Sequence, residues 1–169
     1  MKHLIDFVTV WTVQPSDFDI SQPGLDYDHK RGWYWQAAIE FPNLNGYRTA
    51  LSALHRHFEA KEILWCFSDP IGWYRSSTVD QILWELELPI STILAHFDSE
   101  LWSQVVAGKK QLELTALSLP CEYPIKKKCE VLVRWPLPID CRLIRLGSIK
   151  ADTVTPIDAD FLNLLRESQ

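Results

Sequence analysis

Among the residues that could do chemistry, Glu130 has the most suggestive setting: it follows the basic triplet Lys126-Lys127-Lys128 and opens the apolar run Val131–Val133. A carboxylate at the start of a buried strand is either a solvated end residue or a group aimed into a cleft, and the spacing favours the solvated end. In a cleft it could stabilise positive charge developing in a transition state. Metal chemistry has little footing. The four cysteines, Cys66, Cys121, Cys129 and Cys141, have no CxxC spacing, and His55 and His57 are far from them in sequence. Two histidines two apart also face different directions on a helix. The cluster Trp33-Tyr34-Trp35 could wall a planar ligand, or pack into a core equally well.

The elements that must position these groups centre on Cys129–Ile149. Two strand-like runs, Val131–Val133 and Cys141–Leu146, flank the break Trp135-Pro136-Leu137-Pro138. Prolines cannot donate to a ladder, so the break predicts a bend or a sheet edge. Alternation of Leu143 and Arg145 with Ile144 and Leu146 predicts a strand with one wet face. Upstream, Phe7–Val13, Glu62–Phe67 and Gln81–Leu88 read as strands, the first ending at Gln14-Pro15 and the last at Pro89. Tyr47, Ala50, Leu51, Leu54 and Phe58 recur at helical spacing. Trp33 to Glu40 predicts a short helix. Trp73-Tyr74-Arg75 follows a Ser-Asp-Pro-Ile-Gly turn and leads into the polar loop Ser76-Ser77-Thr78, while Leu112–Leu119 reads as strand or irregular chain.

Two helix starts are well signalled. Asp98 suits an N-cap, with Phe97 placed to staple onto Trp102 and Gly108 suited to the left-handed position after the helix. Thr155-Pro156-Ile157-Asp158 reads as N-cap, proline at N1 and aspartate at N3 of a C-terminal helix. Strands and helices mix without regular βαβ alternation, which predicts an α+β fold in a single domain spanning 1–169.

Composition narrows the function classes. The chain has 169 residues, 47% of them apolar, enough for one proper core. A net charge of −5 argues against a broad nucleic-acid surface, although Lys109-Lys110 and Lys126–Lys128 could form a local basic strip. Eight Trp against one Met is an unusual balance, and it predicts some Trp at pocket walls beside a Trp-rich core. The start MKHLIDFVTVW lacks a signal-peptide pattern, and no apolar run approaches a membrane span of about 20 residues. With no disulfide-like spacing, the expectation is a cytoplasmic protein with free thiols and no membrane association.

The segment Glu130 to Leu146, Glu-Val-Leu-Val followed by a proline-broken stretch and a second apolar strand, resembles the last core strands of ADP-ribosyltransferases, in particular the bacterial toxin branch that modifies DNA bases. The resemblance implies a split or mixed β-sheet architecture with flanking helices, NAD as cofactor, and transfer of ADP-ribose to a nucleic-acid or protein acceptor. Glu130 would be the catalytic carboxylate. Breaking the nicotinamide–ribose bond also needs an aromatic wall and donors for ribose and phosphate. The resemblance puts these on Thr12, Gln14, Ser68 (or Ser76-Ser77-Thr78), Trp73 and Tyr74. The sequence departs from the family on its first strand, where FVTVWTV has no His or Arg and only His3 precedes it. A second resemblance, to a family of small uncharacterised bacterial domains, rests on Trp11–Pro15, Ile63–Phe67 and Leu86–Pro89 through Phe97, Asp98 and Trp102.

Two readings stand side by side. One is an NAD-using ADP-ribosyltransferase-like enzyme. The other is a non-catalytic, Trp-rich domain that binds a peptide or partner subunit. A phosphotransferase acting on RNA 2′-phosphate would need a basic phosphate cradle that the sequence does not display.

Overall fold

The computed structural model describes residues 6–22, 28, 30, 46–75, 78–118, 128–153 and 155–169. The fold is α+β, as the mixed element order predicts. Its strands are β1 (Phe7–Pro15), β2 (Ile63–Phe67), β3 (Trp73–Arg75), β4 (Gln81–Pro89), β5 (Ile93–Asp98), β6 (Cys129–Arg134), β7 (Arg142–Ile149) and β8 (Thr155–Ile157). Six of them form one sheet in the order β5-β6-β2-β1-β4-β7, and β3 pairs with β8 apart from it. Every registered pair is antiparallel. The described helices are α1 (Gly46–His57), α2 (Ser99–Val106) and α3 (Ala159–Glu167).

Strand alternation divides the core between the two faces of the sheet. The back face carries all three of these helices. Ile63 and Leu132 pack with Tyr47, Leu51 and Leu54 of α1 and with Trp102 and Val105 of α2. Further along the same face, Phe67, Leu83, Leu146 and Ile149 pack with Leu162 of α3. The front face buries Val10, Leu64, Trp84, Leu86 and Val131 beneath Phe18 and Ile20, with Trp135 and Leu143 packed against them. Each such side chain, fully buried, contributes roughly 1.5–3 kcal/mol.

Local signals explain the helix ends. The Asp98 carboxylate accepts the amides of Glu100 and Leu101, so it caps α2 as expected. Phe97 meets Trp102 edge-on with ring centroids 5.5 Å apart, the expected staple. Gly108 has φ of 72°, a conformation a side chain would strain.

Several boundaries differ from the sequence reading. Thr155 does not cap α3: it lies in β8, and Asp158 is the cap, accepting the Phe161 amide. A proline is tolerated there because β8 is a short edge strand, with Pro156 opposite Tyr74. Trp73–Arg75, between the Ser-Asp-Pro-Ile-Gly turn and the expected polar loop, is the strand that pairs with it. Ile93–Asp98 adds a strand, β5, that the helix signal at Asp98 obscured. Residues 114–116 form a 3-10 turn, and Ser118 bridges to His96. β1 runs through Pro15, which pairs with Gln81 at the strand end. The expected helix at Trp33 to Glu40, the aromatic cluster within it, His3, Ser76, Ser77, Cys121, Lys126 and Lys127 lie outside the described residues.

Candidate functional site

Glu130 is neither solvated nor cleft-facing: it is buried, 1% exposed, on the back face of the sheet. β6 lies between β2 and β5, which sets Glu130 opposite Phe67 on one side and Phe97 on the other. Its Oε2 accepts the indole N–H of Trp65 at 3.0 Å. That indole sits in an aromatic cluster, 4.6 Å from Trp102 and 6.1 Å from Phe97 between ring centroids, with Tyr47 5.7 Å from Trp102. Burial drives the Tyr47 hydroxyl's pKa well above its ordinary value, and the charge of Glu62 adds to the shift.

Thr12 and Gln14 are also buried, but on the front face, since they alternate with the back-facing Trp11 and Val13. The Thr12 hydroxyl donates to the Trp65 carbonyl at 2.6 Å and accepts from the Gln14 amide at 2.9 Å. β1 and β2 share only one registered pair, Trp11 with Phe67, so the Thr12 bond supplies part of that seam. The buried Cys66 thiol is pushed far up in pKa by desolvation, partly offset by its hydrogen bond with Thr12 and increased by the charge of Glu130. Such a thiol is inert as a nucleophile.

Ser68 continues the ladder between β2 and β6: its amide donates to the Cys129 carbonyl and its hydroxyl accepts the Cys129 amide, both at 2.9 Å. The backbone of Trp73 and Tyr74 lies in β3, outside the large sheet, and their side chains are not among the described parts. The residues expected to form one NAD site are thus distributed. Glu130 faces the helices, Thr12 and Gln14 face the opposite way, and a whole strand, β2, separates β1 from β6.

What the sequence reading missed is a groove outside the front face. The bend after β6, with its cis Trp135–Pro136 bond, lines this groove together with the start of β7 and the loop that follows β1. Together they enclose about 440 Å³, lined by Ile20, Trp135, Leu137, Ile139, Cys141 and Leu143. Ile139 is fully exposed. Ser21 and Gln22 form the polar rim, both hydrogen bonded to the Asp19 carboxylate. Those bonds, Ser21's first, hold the Asp19 carboxyl below the usual range. Burial, reinforced by the charge of Asp140, pushes the Cys141 thiol up to about 11, so at neutral pH the groove wall is uncharged. One signal was present in the sequence: a proline-rich bend carrying Trp, Leu and Ile cannot bury all of them in a ladder.

Among the described residues no group of three or more His, Cys, Asp or Glu is placed to hold a metal ion, and no helix is long and apolar enough to cross a membrane. No protein-family model matches the chain, and no curated protein or solved structure matches it.

Proposed function

We propose that this chain is a non-catalytic binding domain whose recognition surface is the groove between the Trp135–Cys141 bend and the loop after β1. The observation that carries the reading is the groove itself: about 440 Å³, walled by apolar side chains and an uncharged thiol, with polar groups confined to one rim. Ligand sites are typically concavities of about 300–1,000 Å³ with this distribution of polarity. The reading as an NAD-dependent ADP-ribosyltransferase, acting on a nucleic-acid or protein acceptor, asks Glu130 to touch a ribose hydroxyl. The carboxyl is instead enclosed and bonded to Trp65, while Thr12 and Gln14 face the other side of the sheet. The geometry therefore supports binding better than nicotinamide release.

The test pairs two measurements on the intact chain. Small uncharged apolar fragments should shift the amide resonances of Ile20–Gln22 and Cys141–Leu143 and slow the alkylation of Cys141. Incubation with NAD should release no nicotinamide. Nicotinamide release that disappears in Glu130→Gln, a change that preserves an acceptor for Trp65, would overturn the proposal in favour of transfer chemistry.

A further inference from the structure

The groove is bordered by an open strand edge. β7 closes the six-stranded sheet on one side, and among the described residues it pairs with β4 alone. The first four residues of β7 read Arg142-Leu143-Ile144-Arg145. The free stretch ends there, because the sheet bulges at Leu146 and the Gln169 side chain donates to the Leu146 carbonyl at 2.8 Å. Leu143 and Arg145 face the front, where Leu143 is also groove wall. Arg142 and Ile144 face the back, opposite Glu87 and Glu85 on β4. Both arginines are exposed, and neither forms an ion pair among the described residues. Asp19 is near enough to Arg145 to be influenced by its charge, but Asp19 is already bound by Ser21 and Gln22.

We infer that the Arg142–Arg145 edge receives an extended acidic peptide of a partner protein, which pairs as a further strand and sets an apolar side chain beside the groove. This rests on the reading of the groove as a recognition surface and adds the class of partner. An unpaired edge offers main-chain donors and acceptors, and flanking pockets select alternate side chains. Direct cross-strand neighbours interact most strongly, so the best complement to Arg-Leu-Ile-Arg is acid, apolar, apolar, acid. That order is the same read in either direction and therefore serves a parallel or an antiparallel partner. A second copy of the chain is a poor occupant. Antiparallel self-pairing centred between Leu143 and Ile144 sets Arg142 against Arg145, and basic residues on an edge discourage this kind of self-association.

The experiment uses the whole chain and a fluorescein-labelled octapeptide, Thr-Thr-Glu-Val-Val-Glu-Thr-Thr, with a Lys-for-Glu version as control. The acidic peptide should bind saturably and weaken as salt is raised, because exposed charge pairs are screened. The double substitution Arg142→Glu with Arg145→Glu should cost roughly tenfold or more in affinity and should make the lysine peptide the better ligand. The peptide exchange on the unaltered chain needs no variant to fold. Equal binding of both peptides, or unchanged affinity in the double variant, overturns the inference. If apolar fragments shift the groove resonances but the acidic peptide does not bind, the edge inference fails and the groove reading stands. If neither binds, both fail.

Discussion

Two tryptophan–glutamate pairs lie on the back face of the same sheet and serve different ends. In one, Trp65 of β2 donates to Glu130 of β6 at 3.0 Å, beneath α1 and α2. In the other, Trp11 of β1 donates to Glu85 of β4, also at 3.0 Å, beside α3. Chemistry and length are the same, but the surroundings are not. Glu130 is 1% exposed, whereas Glu85 keeps 19% of its side chain exposed and takes a second partner, the Arg166 guanidinium of α3, at 3.0 Å. The first pair satisfies polar groups inside an aromatic core. The second latches a helix to a sheet at the solvent boundary. The comparison teaches that a Glu–Trp bond carries no function by itself: the depth of the layer above it decides whether it holds the core together or fastens its edge.

The largest way to break the comparison is Glu130→Ala. It leaves the Trp65 N–H without its acceptor and opens a void, and it should cost about 3 kcal/mol in a urea titration. Glu130→Gln keeps an acceptor for Trp65 and should cost clearly less. Should the two variants prove equally destabilised, the lost hydrogen bond is not the reason. Next comes Glu85→Ala, which removes the shared acceptor of Trp11 and Arg166 and should lower stability by about 1 kcal/mol, the part owed to Arg166 fading at high salt and the part owed to Trp11 persisting. Smaller still is Arg166→Ala, an exposed ion pair worth about 0.5 kcal/mol that fades at high salt.

A pH titration separates the regions without mutation. Cys66 and Tyr47, both in the buried part of the molecule, have pKa values raised by desolvation above the unfolded values of 9.0 and 10.0. The fold therefore holds these protons more tightly than the unfolded chain does. Their stabilising contribution is complete below about pH 9 and is lost as the pH climbs beyond it, because the unfolded chain ionises first. The melting temperature should fall above pH 9, with a similar slope in the Arg166→Ala variant. A fall that vanished in that variant would place the titration at the α3 latch.

Much of this molecule was legible where the cause is local. The cap at Asp98 and the Phe97–Trp102 staple depend on residues a few positions apart, and both formed as read. α1 was visible because its apolar residues recur at helical spacing and face a core. Thr155 failed as a cap because its pairing partner, Arg75 in β3, is remote in sequence, so the better local candidate Asp158 took the role. β5 was lost for a similar reason. Its six residues show no clean alternation, and their place in the sheet comes from β6, more than thirty positions away in the chain.

For the candidate site the division is sharper. The sequence by itself determined which residues are strand or helix formers, that a proline-rich break would interrupt the chain after β6, and that a carboxylate would stand at the start of that strand. Only the tertiary structure decided which way each polar group points and what covers it. Strand order set β2 between β1 and β6, and alternation turned Thr12 and Gln14 away from Glu130. The physical reason is that a side chain's environment is assembled by partners distant in sequence: Trp65 and Glu130 stand 65 positions apart and meet only because β2 and β6 are neighbours in the sheet.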